Sequence, residues 1–177
     1  FVFIVGARFT QSPSLAQYEA LKRSLGYQVT VINVTSTDTP DTIRAQLQQI
    51  YARNDANLRH ALIIGDAADV PAKSSNNISG ITDHYYRAID TTDYESDING
   101  PDIGVGRVAV ANEQQLATVL AKFTRYQNAS FADEGWLNNV SFLATDDQYE
   151  VAEGTHNYVI QTYSGPKGYT GIFPASG

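Results

Sequence analysis

The chain has no cysteine. That excludes a disulfide, a thiolate nucleophile and a zinc–sulfur site within these residues. Methionine is also absent, and the sequence opens directly on the apolar run "FVFIVG". It is therefore expected to be a piece of a longer protein. Cations are few: 12 Lys and Arg stand against 19 Asp and Glu, a net charge of −7. No basic run occurs, which argues against a nucleic-acid partner, because such proteins replace phosphate counterions with Lys and Arg. No apolar run reaches the ~20 residues of a membrane span. The glycine-rich phosphate loop is missing too, since "GARFTQS" fits neither G-x-G-x-x-G nor G-K-[ST]. His60, His84 and His156 form no recognisable Ser-His-Asp set.

What is present is enough apolar and aromatic sequence, in 177 residues, for one folded domain with a sizeable core. "FVFIVGARF" reads as a short buried strand ending at Gly6. Ser12-Pro13 is an N-cap with Pro at the first helical position. Leu15, Tyr18, Leu21 or Lys22, and Leu25 follow at helical spacing, and Gly26 closes the helix. "YQVTVINV" is a second strand. Thr39-Pro40 repeats the cap, with Ile43, Leu47, Ile50 and Tyr51 as one helical stripe. "HALIIGD" is a third strand. Near-continuous apolar strands alternating with helices predict an α/β domain with a parallel sheet covered on both faces.

Further along, "TDHYYRAID" reads as a strand, followed by an acidic turn and a second strand, "DIGVGRVAV". This predicts a short β-hairpin carrying an acidic loop. Asn112 caps a helix with Leu116, Val119, Leu120, Phe123 and Tyr126 on one stripe. "NVSFLATDD" and "GYTGIF" read as strands around a helix, "YEVAEGTHNYVIQTY", with a weak start at Gly154. N-x-[ST] triplets at Asn33, Asn77, Asn128 and Asn139 would accept glycans in a source that glycosylates secreted proteins.

The stretch "DYESDINGPDIGVGR" carries the strongest chemical signal. Hard cations such as calcium take six to eight oxygens from carboxylates and turn carbonyls, with Gly permitting the sharp bend. Asp90, Asp93, Asp97, Asn99 and Asp102, with Gly100 among them, supply such ligands. The competing reading is a solvated turn, because Asp and Asn-Gly are ordinary turn residues. Asp66, Asp146 and Asp147 stand at carboxyl ends of strands, where open parallel sheets bind ligands and where acids also cap the next turn.

In order along the chain, "FIVGARF", "ALIIGDAADVPAK", "ITDHYYRAIDTTDY", "DIGVGRVAVANEQQLATVLAKFTRYQN" and "WLNNVSFLATDD" resemble the N-terminal half of the catalytic domain of gingipains, caspase-like cysteine endopeptidases. The resemblance covers nearly the whole chain. It implies a three-layer α/β/α caspase-like fold, mostly parallel sheet with helices on both faces. Residues 1–130 would be the first subdomain and 131–177 the start of the second. It implies calcium, Ca2+, held by Asp66, Asp90, Asp93 or Asp97, the backbone near Gly100, and Asp102. It also implies that Asp147 orients a catalytic His lying outside this sequence, fixing its tautomer and stabilising its charged form. Glu153, three residues before His156, takes the place of the acid that lines the specificity pocket in Arg-specific members.

The family's His-Gly motif and its Cys nucleophile are absent here. Cysteine catalysis needs a thiolate with a base in hydrogen-bond reach, so this chain is expected to be inactive alone. The resemblance implies the N-terminal portion of a secreted or cell-surface cysteine endopeptidase. Its partners would be the remainder of the catalytic domain and a protein or peptide substrate. The alternative is a non-catalytic module serving as scaffold, adhesin or assembly component. A sugar- or nucleotide-binding domain is disfavoured by the missing phosphate loop.

Overall fold

The computed structural model of the chain describes residues 1–53, 57–77, 79–97, 100–144 and 147–172. The chain divides into two units, Phe1–Asn128 and Ala129–Gly177.

The first unit is built on a parallel four-stranded sheet in the order β2-β1-β3-β6. Its strands are β1 (Val2–Gly6), β2 (Thr30–Val34), β3 (His60–Ile64) and β6 (Gly104–Val108). β1 is central, pairing Ile4 with Ile32 on one side and Ile63 on the other. Alternation along β1 sends its side chains to two separate cores. Val2 and Ile4 join Ile32, Ile63 and the stripe Ile43, Leu47 and Ile50 of α2 (Pro40–Tyr51). Phe3 and Val5 join Leu15 and Tyr18 of α1 (Pro13–Ser24) and Leu116 and Leu120 of α4 (Glu113–Gln127). These two cores make the three-layer α/β/α arrangement.

The helix boundaries follow from local chemistry. The Ser12 hydroxyl accepts from the Leu15 N–H at 3.0 Å. Thr39 and Thr42 exchange side-chain and backbone bonds in a capping box. The Asn112 side chain accepts from Gln115 N–H at 3.0 Å. α1 ends in a Schellman motif, with Tyr27 N–H on Lys22 O and Gly26 N–H on Arg23 O. Gly26 takes φ +88°, a conformation that suits glycine. Of the two candidates for the α1 stripe, Lys22 is the buried one. Its ammonium lies over the rings of Phe1, Tyr18 and Tyr27 and donates to Gln127 Oε1.

Two expectations for the segment before β6 are corrected. The run "TDHYYRAID" is not a strand: after β5 (Gly80–Thr82) the chain makes a one-turn helix, α3 (His84–Arg87). Side-chain anchoring overrides the β-propensity of its tyrosines. The Thr82 hydroxyl accepts from His84 N–H, and Asp83 pairs with Arg107 through two 2.7 Å bonds. Buried Tyr86 donates its hydroxyl proton to Pro71 O. The acidic loop is not carried by a hairpin either. The hairpin is formed by β4 (Lys73–Ser75) with β5. The acidic segment instead links α3 to β6 and lies against that hairpin.

The second unit pairs β7 (Asn139–Ser141) in parallel with β8 (Thr170–Ile172). Between them runs α5 (Tyr149–Val159), continued by a wider π-helical turn, Ile160–Ser164. The start of α5 is weak in chemical terms: Gln148 sits at φ 52° and gives no side-chain cap.

Candidate metal centre

Three of the sequence-nominated acids converge. Asp90, Asp97 and Asp102 each offer a carboxylate oxygen, and these atoms all lie within 4.8 Å of one another. Oxygens bound to one calcium at ~2.4 Å stand at most ~4.8 Å apart, so the spacing and the all-oxygen chemistry fit a hard cation.

Asp102 is positioned from the sheet. It immediately precedes buried Ile103 and β6, and its own N–H donates to Arg87 O at 3.1 Å. Its Oδ2 accepts from the N–H groups of Ile89 and Asp90. Asp102 thus fixes the backbone that carries Asp90. The other side of that backbone is held by α2. Buried Arg44 donates to the carbonyls of Ala88 and Thr91, and Gln48 donates to Ile89 O at 2.9 Å. The Arg44 guanidinium also lies 4.6 Å from the Tyr85 ring centroid. A buried guanidinium must find such partners, and here they are the carbonyls flanking Asp90. Sequence reading missed both Arg44 and Gln48. Their only signal was an i, i+4 polar pair alongside the apolar stripe of α2.

Of the other nominated residues, Asp93 lines the same surface cavity as Asp90 and Asp97. Asp93 accepts from Ser96 N–H through Oδ1 and is not one of the three converging acids. Asp66, also outside that group, caps the turn after β3. Its Oδ1 accepts from Ala68 N–H at 2.9 Å and Asp69 N–H at 3.2 Å. These bonds, helped by nearby Arg8, hold its carboxyl below the ordinary carboxylate range. Gly100 takes φ +122°, so the bend before Pro101-Asp102 calls for glycine. Asn99 and Asp146 lie outside the described residues.

Around Asp66 the strand ends are tightly built. Asp69 pairs with Arg8 at 2.6 Å, and a Cβ on Gly6 or Gly65 would come within 2.6 Å of Asp69 Cβ. Arg107 spans β6, β3 and α3 by donating to Gly65 O, Asp66 O and Asp83.

In the second unit Asp147 is exposed in the turn just before α5. Glu153 is exposed on α5, one turn before His156, whose ring centroid is 5.1 Å from that of Phe142.

The sequence profile of Peptidase family C25 matches residues 1–172. The chain belongs to this family. It is 24% identical over 157 residues to gingipain R2 of Porphyromonas gingivalis, covering 85% of this chain and 20% of that protein. The figures for gingipain R1 of the same organism are 24% and 85%, with 15% of that protein covered. The chain thus spans a fifth or less of these relatives' length. Among solved structures, it superposes on the Arg-specific cysteine proteinase gingipain R with a TM-score of 0.76 at 20% identity. That match covers 99% of this chain and 41% of the other. A further structure described as a protease gives 0.78 at 21% identity, covering 97% and 39%. The fold of this C25 chain is therefore the gingipain, caspase-like one. Among the described residues, no helix is long and apolar enough to cross a membrane.

Proposed function

We propose that this chain forms the N-terminal portion of the catalytic domain of a secreted or cell-surface cysteine endopeptidase, braced by calcium. The observation that carries the enzymatic half is family membership across the chain. In the complete enzyme Asp147 orients the catalytic His, and Glu153 faces a basic substrate side chain. The chain itself has no Cys, so it supplies position and not the nucleophile. The test is peptide hydrolysis by the complete catalytic domain and by residues 1–177 alone. The complete domain is expected to cleave after basic residues and the 177-residue chain to be silent. Asp147→Ala in the complete domain is expected to lower kcat on the order of ten-thousandfold, as loss of an orienting acid does. Unchanged hydrolysis overturns that role.

The convergence of Asp90, Asp97 and Asp102 carries the calcium half. A bound cation offsets their mutual repulsion and closes the segment before β6 onto the sheet edge. A ligand at a hundred times its Kd adds about 2.7 kcal/mol, which in a chain of this size is a rise of about 5–10 °C in Tm. A Tm indifferent to millimolar calcium overturns the site. Asp97→Asn is preferred to a change at Asp102, whose carboxylate also holds the N–H groups of Ile89 and Asp90, and it is expected to remove most of the rise. Asp66→Asn separates the two possible ligand sets: with Asp90, Asp97 and Asp102 as the carboxylate ligands, the rise survives it.

The alternative reading is a non-catalytic C25 module acting as scaffold, adhesin or assembly component. A parent protein with no His-Gly and Cys pair beyond these residues would decide for it.

A further inference from the structure

Between α1 and α4, on the face of the sheet opposite α2, opens a cavity of about 740 Å³. Tyr18, Lys22, Lys122, Phe123, Tyr126 and Gln127 line it. That size falls in the range of small-ligand sites. The two helices run in the same direction: Ser14 bonds Glu113 at their starts, and Lys22 bonds Gln127 near their ends. The cavity lies toward those ends, where Phe123 and Tyr126 remain 38% and 68% exposed. Its walls are therefore rings that meet water on one side.

The charge in this cavity is of one sign. Lys22 is only 9% exposed. An ammonium has three N–H donors, and among the described residues a single oxygen, Gln127 Oε1 at 3.1 Å, accepts from it. The ring centroids of Phe1, Tyr18 and Tyr27 lie 5.0, 5.1 and 5.5 Å from its nitrogen. Ring faces offset part of the cost of burying a cation, but they carry no counter-charge. Burial accordingly pulls the Lys22 pKa below the ordinary lysine value. Among the described residues neither Lys22 nor Lys122 has a carboxylate partner. None of the lining residues is an acid, although the chain as a whole carries a charge of −7. Gln127, with its oxygen toward Lys22, keeps its NH2 group free to donate to an acceptor in the cavity.

We propose that this cavity binds a small amphiphilic carboxylate, an aromatic or aliphatic acid. Tyr18, Phe123 and Tyr126 pack against its apolar body, and Lys22 and Lys122 take its carboxylate. The charge is complementary, and the acid supplies the oxygens that the buried ammonium lacks. A free acid fits better than an extended peptide, because both walls are helices and offer no strand edge to a main chain. The site is independent of the calcium and peptidase readings.

The probe is 2-naphthylacetate, titrated into the whole chain and followed by NMR, beside its neutral analogue 2-naphthaleneethanol. The acid should bind with a Kd on the order of a millimolar, shifting the resonances of residues 18–22 and 122–127. The alcohol should bind about tenfold more weakly, because bonds between charged partners are the stronger ones. Lys122→Ala removes an exposed side chain, so folding is expected to be intact. It should weaken the acid about tenfold and leave the alcohol unchanged. Lys22→Met keeps the unbranched stem among the rings and should abolish the preference for acid. The Lys122→Ala result stands whether or not that second variant folds. Equal binding of acid and alcohol overturns the proposal, as does no binding of acid at many times that concentration. An acid affinity indifferent to Lys122→Ala overturns the placement. Tighter binding of an acetylated Glu-Phe amide than of the free acid overturns the small acid in favour of a docked peptide.

Discussion

At the residue scale, Arg44 connects the fold to the candidate centre. Its guanidinium serves the carbonyls of Ala88 and Thr91, on either side of Asp90. Truncation to Ala would leave these carbonyls without their donor, at a cost of roughly 2–4 kcal/mol. Arg44→Ala should therefore lower the midpoint of chemical denaturation and, on the calcium reading proposed above, weaken calcium binding with it. Arg44→Lys should rescue little, because an ammonium cannot reproduce the planar fork. Asp66 makes a pH prediction. Its folded pKa is depressed by the N–H groups of Ala68 and Asp69. Its contribution is thus present above the ordinary carboxylate pKa of about 3.9 and lost as pH falls through the lower folded value. Denaturation of the native chain and of Asp66→Asn should differ at pH 7 and converge below about pH 4. A gap that widens in acid would reverse the assignment.

At the scale of elements, α2 holds the segment 88–91 on one face and fills a core on the other. Its start is secured by the Thr39–Thr42 capping box. Thr39→Ala should cost about 1 kcal/mol, read as a lower Tm. Caps and stripes of this kind were legible in the sequence because they depend on neighbours three or four residues away. Ser12, Thr39, Asn112 and Gly26 all act where local chemistry places them. The one-turn helix α3 was not legible, because it is made by distant partners. Arg107 holds Asp83, Pro71 accepts from Tyr86, and Arg44 lies against Tyr85. Tyrosines that locally favour a strand were drawn into a turn by contacts no window of sequence contains. The hairpin was displaced for the same reason, since Glu95 binds its turn from outside instead of belonging to it.

At the scale of the whole molecule, near-continuous apolar strands alternating with helices were enough to predict a parallel sheet covered on both faces. The candidate site was only half legible. Composition crowded acids into one stretch, but which of them meet depends on how Asp102 and Arg44 hold the backbone between α3 and β6. Asp97 joins Asp90 and Asp102, whereas Asp93 turns to cap Ser96. Asp147 and Glu153 sit in the second unit, and the roles proposed for them above would be exercised only in the complete domain.

The strand order has a consequence in time. All pairings of the four-stranded sheet are parallel, and even the one with the shortest sequence separation joins Val2 to Thr30. Among the described residues, the antiparallel pair β4–β5 is the local one, and it lies outside that sheet. The sheet therefore has no local seed, and loop closure must precede its first rewarding contact. Refolding after dilution from denaturant should take milliseconds to seconds, not microseconds. β1 has a partner on each side, so Val5→Ala should slow refolding more than it speeds unfolding. Stopped-flow measurement of both limbs would show whether the strand at the centre of the sheet is also the first to be committed.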